Sequence, residues 1–247
     1  MGSIQPSAMP FRRRRRVLLL LYLVLMIVMI LSIFLHVQAA RFERRALSLV
    51  TALSTLRVGV SSQADALSRL PNFTAHGTGP YGTLCEADQC VSGGIPNSML
   101  SNAVFLRAAR TGNRTLVSLL SWLGFRYCSL DAYVNFTSGK VSYISYNLVV
   151  YTPHFEDIEN PDVVVVEVSS RAHADVGPTP LNRTAQDSFR VSPSRRSPSQ
   201  SVGITFTPDA PNELITQAFD LKLRCLWSFT GCRTWKQVLP AVEYGNQ

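Results

Sequence analysis

Two histidines stand beside carboxylates in this chain: His154, within Pro153-His154-Phe155-Glu156-Asp157, and His173, two residues before Asp175. An imidazole next to a carboxylate suits general-base or metal chemistry, because the acid orients the ring and favours its protonated form. Neither site has a third partner at ligand spacing, so both read as charged residues of surface turns, and no catalytic or metal residue is assigned. The sequence has no His-Glu-x-x-His, no Gly-x-Ser-x-Gly and no Walker lysine. Gly77-Thr78-Gly79-Pro80-Tyr81-Gly82 has the letters of a dinucleotide fingerprint. That fingerprint needs a preceding strand and an outgoing helix whose N–H groups take the pyrophosphate; Pro80 sits inside the turn, and no cofactor is expected.

Five cysteines are present, and four fall in two close pairs, Cys85 with Cys90 and Cys225 with Cys232. Neither pair has the Cys-x-x-Cys spacing of a zinc or redox motif, so two local, loop-closing disulfides are expected. Each would stabilise the fold by roughly 2–3 kcal/mol in the chain-entropy account. Cys128 is left over and reads as a small buried apolar residue at a strand edge. Four N-x-T sequons, at Asn72, Asn113, Asn135 and Asn182, are glycan acceptors only if the source is eukaryotic and their face is exported.

What positions all of these begins at the other end of the chain. Val17 to Leu35 is a run of 19 residues without charge, proline or glycine. As a helix it spans about 28 Å, the thickness of a bilayer's hydrocarbon core. Arg12, Arg13, Arg14, Arg15 and Arg16 abut its start, against Arg41, Arg44, Arg45 and Glu43 beyond its end. The denser cluster stays in the cytoplasm, so the C-terminal part is expected to be periplasmic or extracellular. A cleaved signal peptide is the rival, since Val37-Gln38-Ala39 before Ala40 suits signal peptidase; the length of the apolar run favours an uncleaved anchor. Net charge is +8, but five of the 24 bases precede the apolar run and all 16 acids follow it, leaving 19 scattered bases against 16 acids. That balance marks topology, and no nucleic-acid partner is expected.

The resulting organisation is a cytoplasmic tail (1–16), a transmembrane helix (17–36), a juxtamembrane helix (37–60) and an extracytoplasmic domain (61–247). Phe42, Ala46, Leu49, Leu53 and Leu56 recur at helical spacing and predict an amphipathic helix running out of the bilayer. Ser61 or Ser62 caps a second short helix to about Leu70. The Gly- and Pro-rich stretch 72–96 reads as loop. Thr115 to Leu123 reads as a short amphipathic helix, and Ala132 to Tyr151 as a hairpin turning at Ser138-Gly139-Lys140. Asp162 to Val168 is a continuous apolar run expected in mid-sheet. Residues 177–201 read as a mobile loop, Val202 to Phe206 as a strand, and Pro211 to about Ala218 as a helix. The expected fold class is α+β, a mixed or antiparallel sheet packed with a few helices.

Leu56-Arg-Val-Gly59-Val-Ser-Ser-Gln-Ala-Asp65, followed by a short helix and later by the hairpin around Val134-Asn-Phe-Thr-Ser-Gly139-Lys-Val141, resembles the order of signals in small bacterial envelope proteins. That group includes outer-membrane assembly lipoproteins and beta-lactamase-inhibitor-like modules. The resemblance covers about a third of the chain, and it implies a sheet used for protein contacts. The chain departs from the group by carrying a membrane helix in place of a lipobox and by its extra C-terminal elements. It also resembles uncharacterised bacterial single-pass membrane proteins. The functional expectation is a membrane-anchored, non-catalytic interaction or scaffold module of the cell envelope. Its partners would be the lipid bilayer and another envelope protein or a second copy of itself. The alternative is an envelope hydrolase with a dispersed active site.

Overall fold

A computed structural model describes residues 11–74, 90–96, 99–151, 163–171, 188–193, 199–227 and 231–242. Helix α1 (Phe11–Ser54) is 44 residues long, about 66 Å at 1.5 Å per residue. Its most apolar 18-residue window has a mean hydropathy of 3.2, and none of it is buried. Among the described residues this is the one helix long and apolar enough to cross a membrane. The membrane and juxtamembrane segments expected from sequence are therefore parts of a single unbroken helix, which ends at Ser54. Gly59, at φ +79°, belongs to the turn after it, and its N–H donates to the Val141 carbonyl at 2.7 Å.

The exposed apolar half of α1 passes directly into a buried half. Leu35, Ala39, Phe42, Ala46, Val50 and Leu53 are all buried, at intervals of three and four residues. This phase differs from the sequence expectation at one position: Val50 is fully buried and Leu49 only partly. A four-residue step from Ala46 places Val50 against the sheet, and Leu49 rotates toward the flank. The stripe is thus consumed by the chain's own core, and a dimer built on it would have to unfold the domain first.

The described strands form one six-stranded mixed sheet in the order β1-β2-β3-β4-β6-β5. They are β1 (Cys90–Pro96), β2 (Cys128–Thr137), β3 (Lys140–Tyr151), β4 (Val163–Arg171), β5 (Phe189–Pro193) and β6 (Ser201–Phe206). Strands β1 to β4 make an antiparallel meander, β6 runs parallel to β4, and β5 pairs antiparallel with β6. The β2–β3 turn is the expected one: Ser138 and Gly139 both have positive φ, 51° and 72°, as a two-residue type I′ turn requires. Valine-rich β4 lies between β3 and β6 with Val164, Val166 and Val168 buried, as a continuous apolar run demands.

Two stretches expected to be loop contain strands. Cys90–Pro96 pairs with β2 along its whole length, despite carrying Gly93 and Gly94. A Cβ on Gly93 would lie 2.5 Å from the Phe73 ring, and one on Gly94 would lie 2.6 Å from Asp131 Oδ1. These residues are glycines because neighbours occupy the space where side chains would stand, a reason invisible to propensity. Likewise Phe189–Pro193, inside the expected loop 177–201, forms the edge strand β5. A proline is tolerated there because an edge strand leaves some N–H positions unpaired.

One face of the sheet carries the main core. Leu130, Ala132, Val134, Tyr146, Leu148, Val166 and Ile204 are all buried there, together with the C-terminal half of α1, with α5 (Asn212–Phe219) and with α6 (Trp235–Val238). The phenol of Tyr146 donates to the Ala218 carbonyl and ties α5 to the middle of the sheet. Helix α2 (Gln63–Arg69) starts at Ser62, whose hydroxyl accepts the Asp65 N–H at 3.1 Å. A second, smaller cluster joins Leu35 to Phe105 and Ala108 of α3 (Met99–Arg110), Val117 of α4 (Arg114–Trp122) and Phe125. Helix α3 had no sequence expectation. The Asn113 side chain caps α4 by accepting the Leu116 N–H at 3.0 Å.

Cys225 and Cys232 are disulfide-bonded, with Cα atoms 4.8 Å apart, as expected. Cys90 is also disulfide-bonded, while Cys85 lies outside the described residues. Cys128 is free and buried, and burial pushes its thiol pKa well up. A maleimide or disulfide reagent is therefore expected to leave Cys128 unmodified at neutral pH and to react with it only after denaturation. Labelling under native conditions, read by mass spectrometry, checks this.

Candidate functional site

A cleft of about 940 Å³ lies between the C-terminal half of α1 and the β1 edge of the sheet. Its α1 wall presents Arg41, Arg44 and Arg45, and the end of α2 contributes Arg69. The floor is apolar, with Phe42, Leu49 and Phe73, and the far wall is the Gly93-Gly94 backbone of β1. Among the described lining residues, four carry guanidinium groups and none carries a carboxylate. Arg69 is paired with Asp65, Nε to Oδ1 at 2.9 Å, in an exposed i,i+4 bridge. Arg41, Arg44 and Arg45 are exposed and make no ion pair with any described residue.

Arg44 and Arg45 lie three and four residues past Arg41, which places all three charges on one side of α1, where Arg41 repels each of the other two by a few tenths of a kcal/mol. An anion seated between them would relieve that repulsion and gain bidentate hydrogen bonds from the planar forks. Arg41 stands six residues past Leu35, about 9 Å along the helix. The basic wall thus begins within the first turns beyond the apolar run.

A smaller polar recess of about 310 Å³ shares Asn72, Gly93 and Gly94 with the cleft and adds Asp131 and Tyr133. These two side chains project from the face of β2 opposite the core. Burial raises the Asp131 pKa, and burial together with the Asp131 charge raises that of Tyr133. A carboxyl whose pKa is raised on folding favours the native state below its unfolded pKa, and that contribution fades as pH climbs through the folded value. The wild-type chain is therefore expected to lose a small amount of stability as pH rises from below 4 toward neutrality, and Asp131→Asn to lose less. Urea midpoints across that range measure the difference.

The structure separates the residues singled out by sequence. Arg15 and Arg16 are exposed in the first turns of α1, continuous with the apolar half. The sequon residues Asn72 and Asn113 are exposed, and Asn135 is half-buried in β2. His154, His173, Asn182 and the glycine motif 77–82 lie outside the described residues. Among the described residues no three His, Cys, Asp or Glu side chains converge as a metal site would require. In the sequence Arg41, Arg44 and Arg45 read only as a topology signal. Their three-and-four spacing was the available clue to a shared face, but the opposite wall comes from β1, which composition disguised as loop. No protein-family model, curated protein or solved structure matches the chain.

Proposed function

We propose that the chain is a single-pass membrane protein whose extracytoplasmic domain is a non-catalytic interaction module of the cell envelope. Its arginine-lined cleft receives an acidic surface of another envelope protein. The observation that carries this reading is the two-part character of α1. Residues from Val17 to Phe34 present exposed apolar side chains suited to lipid, and the same helix then supplies Leu35, Ala39, Phe42, Ala46, Val50 and Leu53 to the domain core. Such a helix holds its domain at a fixed angle and height above the bilayer, with no linker between them.

Cleavage after Ala39 would strip the packed side chains of Leu35 and Ala39 from the domain and cut α1 in mid-helix, which supports an uncleaved anchor. The arginine run before the apolar half supports a cytoplasmic N-terminus. The Cys225–Cys232 bond and the oxidised Cys90 fit an oxidising compartment outside the cytoplasm.

With a C-terminal tag on the full chain, the protein should remain in the membrane after alkaline washing, at full length, with its tag digested by protease added to intact cells. A soluble product lacking the first 39 residues, or a tag digested only after lysis, overturns the topology. Crosslinking in native membranes should capture a protein neighbour through the cleft, and recovery of the monomer alone overturns the interaction reading.

A further inference from the structure

We propose that α4 lies in the headgroup region of the outer leaflet, with its Leu116–Leu119–Trp122 side in lipid, so that the domain grips the bilayer at a second point beside its anchor. This rests on the anchor reading of α1. The first observation is height. Leu31 and Leu35, within the last five residues of the apolar run, pack against Phe105 of α3, Val117 and Leu120 of α4, and Phe125. Gly124, just past the end of α4, is pressed so close that an added Cβ would stand 3.2 Å from the His36 ring and 3.3 Å from Leu35. Helix α4 is therefore level with the outer end of the segment that spans the membrane, where an interfacial helix belongs.

The second observation is the surface that α4 turns outward. Leu116, Leu119 and Trp122 are 38%, 52% and 58% exposed. Beyond α1, Val60 and Leu67 are the other large apolar side chains exposed among the described residues, and neither neighbours the other three in sequence. Successive positions three apart set Leu116, Leu119 and Trp122 along one side of the helix, while Val117 and Ser121 face the protein. The apolar arc of α4 thus extends beyond its buried side onto exposed surface, on the same short helix that packs against the end of the apolar run of α1. Tryptophan at the headgroup level satisfies both its apolar ring and its N–H.

Charge points the same way. Helices α3 and α4 contain no acidic residue, and they carry Arg107, Arg110 and Arg114. A helix pair with only positive charge and one apolar side suits an anionic lipid surface and would be poorly suited to water.

The test uses the full chain in vesicles of phosphatidylcholine and phosphatidylglycerol, with an environment-sensitive fluorophore on Leu119→Cys, Leu25→Cys or Val60→Cys and two nitroxide-bearing lipids as quenchers, one carrying the nitroxide near the headgroup for the label at 119 and one near the bilayer centre for the label at 25. Val60 is 71% exposed and lies past the far end of α1. Protection of the buried Cys128 thiol reports that each variant is folded. The label at 119 should be blue-shifted and quenched several-fold more than the label at 60. A label at 119 that behaves like the one at 60, while the label at 25 is quenched, overturns the proposal and leaves the anchor standing. A blue-shifted label at 119 that lipid quencher does not reach means a protein occupies the surface, which also overturns it. If the label at 25 escapes quenching as well, the anchor reading itself fails and takes the proposal with it.

Discussion

Replacing Leu53 by alanine is expected to destabilise the domain by about 2–5 kcal/mol, whereas Leu49→Ala should cost well under half as much. The two leucines are four residues apart on α1 and equal in chemistry, but Leu53 is wholly buried and Leu49 forms part of the cleft floor. Truncating Leu53 removes its transfer free energy and leaves a cavity that a helix pinned at both ends cannot close. Truncating Leu49 removes atoms from a wall that water already reaches. Against the 5–15 kcal/mol typical of a single domain, the Leu53 change takes a large share of total stability. Urea unfolding of the detergent-solubilised chain, followed by Cys128 reactivity, should show a marked fall in midpoint for Leu53→Ala at an unchanged slope. Equal losses for the two variants would mean that α1 does not sit on the sheet in this phase.

Reversing the cleft charges with Arg41→Glu, Arg44→Glu and Arg45→Glu together is expected to leave folding almost untouched and to abolish partner capture. All three side chains are exposed, and surface substitutions of that kind change stability within about 0.5 kcal/mol each. Each reversal replaces an attraction to an acidic partner with a repulsion. At about 1 kcal/mol apiece the three amount to roughly 3 kcal/mol, or about a hundredfold in affinity. The yield of the crosslinked neighbour should fall accordingly, and milder loss should follow from raising salt on the wild-type protein, since exposed charges are screened within about 10 Å at 0.1 M. Undiminished capture by the triple variant would falsify the assignment of the cleft as the contact surface. Reversal at Arg69 is a weaker probe, because it also breaks the bridge to Asp65.

Much of the architecture was legible because its signals are local. The 19-residue uncharged run, the Ser62 cap, the Ser138-Gly139 turn and the apolar strand after Asp162 each depend on residues within one turn or one strand of each other. The Cys225–Cys232 pair was legible for the same reason, since seven residues separate its members. Strand β1 was not, because its two glycines are explained by Phe73 and Asp131, one distant in sequence order and one on another strand. Nor was the phase of α1 at Val50, which only the position of the sheet decides.

From residue types and spacing alone come the long apolar helix, the flanking charge, the α+β class and the disulfide chemistry, because each is a property of neighbours along the chain. Only the tertiary structure decided that this helix continues unbroken into the core, that Arg41, Arg44 and Arg45 face β1 across a cleft, and that α4 reaches back to Leu31 and Leu35. Those arrangements join segments from about fifty to more than 150 residues apart. They are selected by how well apolar surfaces fit once collapsed, and no window of sequence contains both sides of such a fit.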